Sequence, residues 1–216
     1  MGQTSMTWRT ILAPSTRGIV SSLAVVTVAC WLALGGGCNL FEPRDPQAPS
    51  QTSDSFIPPT DPDVVVENLQ NAIAQKNSVN YIRCFADPTR TPRLFVFIPS
   101  PDAGGRYASV FATWGVDQER TYFQNLVARA SGKVNAYSNL VLANKTLTLT
   151  ADSAVETYDY TLTFEHNDPS FPTVATGNMA LVLGLDNNNA WVIYRWTDFK
   201  TTSDVTWSHF KGKFSN

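Results

Sequence analysis

Few side chains in this 216-residue chain combine a reactive type with a suggestive setting. The first is Cys38. It follows Gly35-Gly36-Gly37 at the end of an apolar run from Gly18 to Leu34, which Arg9 and Arg17 precede with no acidic residue before them. These features share a physical meaning: the basic end stays on the cytoplasmic side, the run crosses as a helix, and the glycines break that helix into an extended segment that a peptidase can cut. The second is Asp198, which strand alternation puts on one face with Tyr194 and Trp196. His166, in Glu165-His166-Asn167-Asp168-Pro169, and His209, in Trp207-Ser208-His209-Phe210-Lys211, read as solvated or locally hydrogen-bonded histidines. Asp159 falls on the polar side of its strand. Metal-ligand spacing, a phosphate-binding glycine loop and a nucleophile elbow are all absent, so the sequence names no catalytic residue, no cofactor and no metal.

The start resembles a bacterial lipoprotein signal peptide, with Gly35 where that family usually has leucine and Leu34 one step further out. The resemblance implies that Cys38 receives a diacylglycerol thioether, becomes the new N-terminus on cleavage, and is often acylated there as well. Cys30, after Thr27-Val28-Ala29, is the weaker candidate, because choosing it shortens the apolar run and leaves Trp31 to Leu34 on the mature end. The run of 17 residues sits at the short limit of the roughly 17 to 25 that span a bilayer, and an uncleaved anchor or ordinary secretion are the alternatives. The expected organisation is a signal peptide over residues 1–37, a lipidated cysteine with a proline-rich tether over 38–60, and one domain over 61–216. The expected place is the bacterial cell envelope, lipid-anchored at the outer membrane and facing the periplasm.

Composition fits that organisation. Residues 1–37 hold two of the 16 basic side chains and none of the 18 acidic ones, which leaves 14 against 18, a net charge of −4. A mildly acidic chain without a basic cluster argues against nucleic acid as partner, and makes the lipid the means of membrane attachment. Cys30 leaves with the signal and Cys38 takes the lipid, so Cys84 stands alone and no internal disulfide can form. Cys84 shares a helical face with Tyr81 and Phe85, the setting of a small buried hydrophobe. From Asn39 to Thr60 five prolines lie among polar residues, too little apolar surface to fold.

Thr60-Asp61-Pro62 opens a first helix, with Val65, Leu69, Ala72 and Ile73 at helical spacing, and Asn77-Ser78 ends or bends it. Val79 to Phe85 reads as a shorter helix, Leu94 to Ile98 as a strand, Asp102 to Gly105 as loop, and Asp117 to Ser131 as a third helix with Tyr122, Phe123, Leu126 and Ala130 on its apolar side. Period two then takes over, in Tyr158, Tyr160, Leu162 and Phe164 and in Met179, Leu181, Leu183 and Leu185. A hairpin at Asp186 to Asn189 leads into Trp191 to Trp196, a strand apolar on both faces. Ser203 is the expected cap of a last short helix carrying Trp207 and Phe210.

This order of elements looks like the nuclear transport factor 2-like superfamily, also described as cystatin-like or SnoaL-like, over roughly Asp61 to Phe199. The opening helix with Tyr81 to Phe85, the segment Leu149 to Val155 leading into Tyr158, and the closing Gly177 to Trp191 hairpin carry the likeness. It implies an α+β fold in which a strongly bent antiparallel sheet wraps the N-terminal helices as a cone, often with a pocket at the open end and a dimer through the sheet's outer face. The candidate pocket residues are Phe95, Trp114, Tyr160, Tyr194, Trp196 and Asp198. Two functions follow from different classes. One is a non-enzymatic, membrane-anchored module that holds a small apolar ligand or a protein partner, either a second copy or another envelope protein. The other is an isomerase, dehydratase or cyclase-like enzyme using Asp198 with Tyr194 or Tyr160, which needs an open and partly polar cavity.

Overall fold

The structure is a computed structural model and describes residues 55–130, 135–150 and 152–216. The signal segment, Cys38 and most of the tether lie outside the described residues. Helix α1 (Pro62–Ala74) starts where Asp61 accepts a hydrogen bond from the Asp63 amide at 2.9 Å, with Pro62 in the first turn, and it buries Val65, Val66, Leu69, Ala72 and Ile73 along one stripe. Lys76 turns the chain at φ 54°, and Asn77 caps α2 (Ser78–Arg83) by accepting from the Val79 and Asn80 amides. The short edge strand β1 (Val96–Ile98) follows.

Residues 102–105, expected as loop, lie in a short helix, α3 (Pro101–Arg106), and a second short helix, α4 (Ala108–Phe111), follows. Pro101 is suited to a first helical turn, and Ala103 is fully buried beneath it, so packing overrides the helix-weakening pair Gly104-Gly105. Helix α5 (Val116–Ala130) carries the expected apolar stripe. Four long strands come next: β2 (Ser138–Leu149), β3 (Ser153–Phe164), β4 (Val174–Leu185) and β5 (Trp191–Phe199). A final helix, α6 (Trp207–Phe214), begins after Thr206 instead of Ser203.

The strands form one curved, unclosed sheet in the order β1-β5-β4-β3-β2, antiparallel except that β1 runs parallel to β5. The fold is therefore α+β, with the helices against the sheet's inner face. Strand β3 shows the alternation most clearly: Ala154, Glu156, Tyr158, Tyr160, Leu162 and Phe164 point inward and are all buried, while the residues between them are half-buried. Strand β5 is bulged. Val182 pairs with Arg195 and Leu183 with Ile193, so Tyr194 is an extra residue on its strand.

Residues 55–60, assigned to the tether in the sequence, run along α1. The Ile57 amide donates to Asn68 Oδ1 at 2.8 Å and its carbonyl accepts from Asn68 Nδ2 at 2.7 Å, while the Pro59 carbonyl accepts from the Trp191 amide at 2.8 Å.

Candidate functional site

Two of the buried polar centres at the sheet's inner face are completed by α6. Glu119 sits in the first turn of α5 and is fully buried. Its carboxylate accepts from Tyr81 Oη at 2.6 Å, from Trp114 Nε1 at 2.8 Å, and from Lys211 Nζ at 2.5 and 2.6 Å. The Lys211 ammonium lies 4.0 Å from the ring centres of both Phe97 and Trp196, and 5.6 Å and 5.8 Å from those of Tyr122 and Trp114. A carboxylate and aromatic faces thus replace its water, the pairing that a buried ammonium requires. Burial still pulls Lys211 down to about 8, against the opposing pull of Glu119, so the side chain is charged at pH 7.

Asp198 is the second centre. Its Oδ1 accepts from Tyr160 Oη at 2.7 Å, and its Oδ2 accepts from the Ser208 amide at 2.8 Å and Ser208 Oγ at 2.5 Å. Tyr160 Oη in turn accepts from the Trp207 amide at 2.7 Å. The first amides of α6, which have no partners within the helix, are therefore held by a carboxylate and a phenol from the sheet. Burial, and the nearby Asp198 charge, push the Tyr160 phenol far above its ordinary range. Trp207 Nε1 donates to Tyr122 Oη at 3.0 Å and its ring meets Trp196 edge-on at 4.4 Å, which ties the two centres together.

Five of the six candidate pocket residues are buried: Phe95, Trp114, Tyr160, Trp196 and Asp198. The structure brings Tyr160, Trp196 and Asp198 to the start of α6, and Trp114 and Trp196 to Lys211. Phe95 stands apart from both centres, edge-on to Phe85 at 4.7 Å. With Trp114 it also lines a surface groove of about 370 Å³ beside Leu94 and Val96. Tyr194 does not share the face of Trp196 and Asp198, because the bulge at its own position reverses the alternation. Its ring lies over the outer face, with the Arg93 guanidinium 5.0 Å from the ring centre.

Glu119, Lys211, Tyr81 and Tyr122 were not among the candidate site residues read from the sequence, where the two tyrosines figured only as core positions. The signal was there: Glu119 falls at helical spacing with Tyr122, Phe123 and Leu126, and Lys211 with Trp207, Phe210 and Phe214, so each charge sits on an apolar stripe. One further carboxylate, Glu156, occupies the inward row of β3. It accepts from Tyr158 Oη at 2.8 Å and lies 3.3 Å from Lys145 Nζ, which also pairs with Asp63. Burial raises Glu156 above the ordinary carboxylate range. Among the described residues no group of three or more metal-ligating side chains converges, and no helix is long and apolar enough to cross a membrane.

No protein-family model and no curated protein matches the chain. Solved structures similar to it include a nuclear transport factor 2-like protein from Cytophaga hutchinsonii, at 12% identity over 63% of this chain and 93% of that one, with a TM-score of 0.45. A nuclear transport factor 2-like superfamily protein from Salmonella enterica is similar at 18% identity, over 65% and 89% of the two chains, with a TM-score of 0.45. A protein of unknown function with a cystatin-like fold from Nostoc punctiforme is similar at 11% identity, over 64% and 87%, with a TM-score of 0.42. Likenesses of this size leave activity unaddressed.

Proposed function

We propose that this chain is a lipid-anchored protein of the bacterial cell envelope whose α+β domain is a non-catalytic module, binding a second copy of itself through the outer face of its sheet. The observation that supports a non-catalytic reading is the occupation of the two interior carboxylates that α6 covers; the third, Glu156, accepts from Tyr158 and lies 3.3 Å from Lys145. Glu119 accepts from three side chains, Asp198 from one side chain and both donors of Ser208, and α6 supplies a donor to each. An acid–base enzyme needs such a group within reach of substrate, and here the chain's own C-terminal helix stands in that place.

The outer face has the character of a docking surface. Val141, Val155, Thr157, Thr161, Thr163, Ala180, Val182 and Thr197 project from it, with Val96 and Ile98 at the β1 edge and Phe199 at the end of β5. Val141, Val96, Ile98 and Phe199 are exposed. The charges on this face are few and of both signs, with Asp159 on β3 and Arg195 on β5, which a two-fold related copy can pair. Sedimentation of the detergent-solubilised full chain tests the reading. A dimer is expected, with Thr161→Arg and Val141→Arg giving monomers of unchanged melting temperature; a monomeric parent chain, or a dimer indifferent to both substitutions, overturns it.

A further inference from the structure

The turn that opens α6 contains a group whose role depends on its proton. The Thr206 amide donates to His209 Nδ1 at 3.2 Å, and Thr206 Oγ1 lies 3.2 Å from the same nitrogen. This is the reciprocal half of a helix capping box, in which the residue three places after the cap is ordinarily Glu or Gln, acceptors at every pH near neutrality. Imidazole can fill that place only while Nδ1 carries no proton. The bond therefore fixes the tautomer with the proton on Nε2, which faces Asp102 Oδ2 at 3.8 Å.

We propose that His209 is a protonation-sensitive latch on α6, closed when the imidazole is neutral and opened by mild acid. An imidazolium would turn an N–H against the N–H of Thr206, so the ring must swing away or the first turn must open. That turn is where the sheet holds α6: the Trp207 amide donates to Tyr160 Oη, Ser208 donates to Asp198, and the Ser100 amide donates to Ser208 Oγ at 2.9 Å.

The surroundings of the ring are mixed. Helix α3 contributes Asp102 and Arg106, Tyr107 approaches edge-on with ring centres 6.4 Å apart, β5 contributes Asp198, and the connection to α6 contributes Lys200. Burial is the largest influence and disfavours the charged ring; Arg106 and Lys200 act in the same direction, and Asp102 and Asp198 oppose them. Asp102 is already engaged by Lys200 at 3.2 Å. The folded chain thus prefers neutral His209 more than the unfolded chain does. The latch is fully present above the ordinary histidine value of about 6.5 and is lost as pH falls from there through the lower value of the folded chain, by at most about tenfold per pH unit for one proton.

Hydrogen exchange of the full-length chain in detergent, from pH 7.5 to pH 5.0 and corrected for intrinsic rates, reads the latch directly. Protection of the α6 amides should fall by up to about tenfold per unit below pH 6.5 while β3 and β4 stay protected, and His209→Gln should keep α6 protected throughout. Protection that does not change with pH, that falls equally in His209→Gln, or that falls together with β3 and β4 overturns the proposal. Should His209→Gln not fold, imidazole nitrogen shifts of the parent chain decide. The midpoint of α6 loosening must coincide with titration of His209, and coincidence with His166, which packs on Phe210 and Phe214, overturns it.

Discussion

Lys211 is an ammonium at the centre of an aromatic core, and its energetics follow from its one counter-ion. Removing either partner of a buried ion pair leaves an uncompensated charge, at about 3–5 kcal/mol, whereas replacing both by apolar groups of similar volume is often near neutral. Lys211→Met should therefore destabilise strongly in urea unfolding, and Glu119→Gln with Lys211→Met should recover most of the loss; additive single effects would contradict the pairing. Tyr81 and Trp114 limit the recovery, since each needs an acceptor that Gln can only partly supply. The pair also sets a pH dependence. Lysine titrates near 10.4 in the unfolded chain and Lys211 at about 8 when folded, so between those values the unfolded chain holds a proton the folded chain has released. This proton alone makes stability rise with pH across that window, at no more than about 1.4 kcal/mol per unit, and from about 8.5 upward the Cys84 thiol, raised by burial, acts in the opposite direction. Above pH 10 it falls again, because burial pushes the Tyr81, Tyr122 and Tyr160 phenols above their ordinary value and the folded chain resists ionising them. Urea midpoints between pH 7.5 and pH 10 should rise in the parent chain relative to Lys211→Met, since the Cys84 thiol acts alike in both.

Helix α6 is the element on which the interior depends, and eight residues suffice because all but one of them are buried. Trp207→Ala removes contacts with Tyr160 and Trp196 together with the bond to Tyr122, and should cost about 3–5 kcal/mol in thermal or urea unfolding. Gly212 is there for contact: a Cβ at that position would stand 2.4 Å from the Tyr107 ring, so Gly212→Ala must displace Tyr107 or the helix. Fluorescence of the tryptophans near α6 should shift in that variant. Much of this architecture is legible in the sequence. The α1 cap and stripe, the alternation of β3 and β4 and the closing hairpin are local patterns, and local sequence decides them. The rest is set by partners distant in the chain. Helix α3 forms over a glycine pair because it packs against α6, the bulge that turns Tyr194 outward arises from register with β4, and the cap of α6 is Thr206 because His209, Ser100 and Asp198 gather there. Of the site, the sequence shows the aromatic set and Asp198, while pairing Glu119 with Lys211 requires knowing which two apolar stripes face each other.

For the whole molecule, where the domain begins bears on the proposed lipid attachment at Cys38. Cys84 is the free cysteine among the described residues and is buried, with its thiol raised far above the ordinary range, so reductant should leave the melting temperature unchanged. The folded unit reaches back beyond Asp61. Asn68 is almost fully buried and exchanges two hydrogen bonds with Ile57, and Ser55 Oγ donates to Gln75 Oε1 at 2.6 Å, so residues 55–60 act as a strap along α1. Cleavage between Asn39 and Asp54 should release the domain with its melting temperature intact. A chain starting at Asp61 loses the partners of Asn68 and should be less stable by about 1–3 kcal/mol for each buried group left unpaired. Sixteen residues lie between Cys38 and Ser55, a length that spans at most about 50 Å as a polyproline helix. One acyl chain gives only marginal membrane binding and two or three make attachment lasting, at about 0.8 kcal/mol per buried methylene. Intact mass of the membrane fraction should show residues 1–37 missing and acyl chains on Cys38, and Cys38→Ser should remain uncleaved or lose acyl-dependent anchoring without altering the domain's unfolding. A mature chain that keeps Gly35 to Gly37 would exclude lipid attachment while leaving the strap, the two buried centres and the α6 latch as they stand.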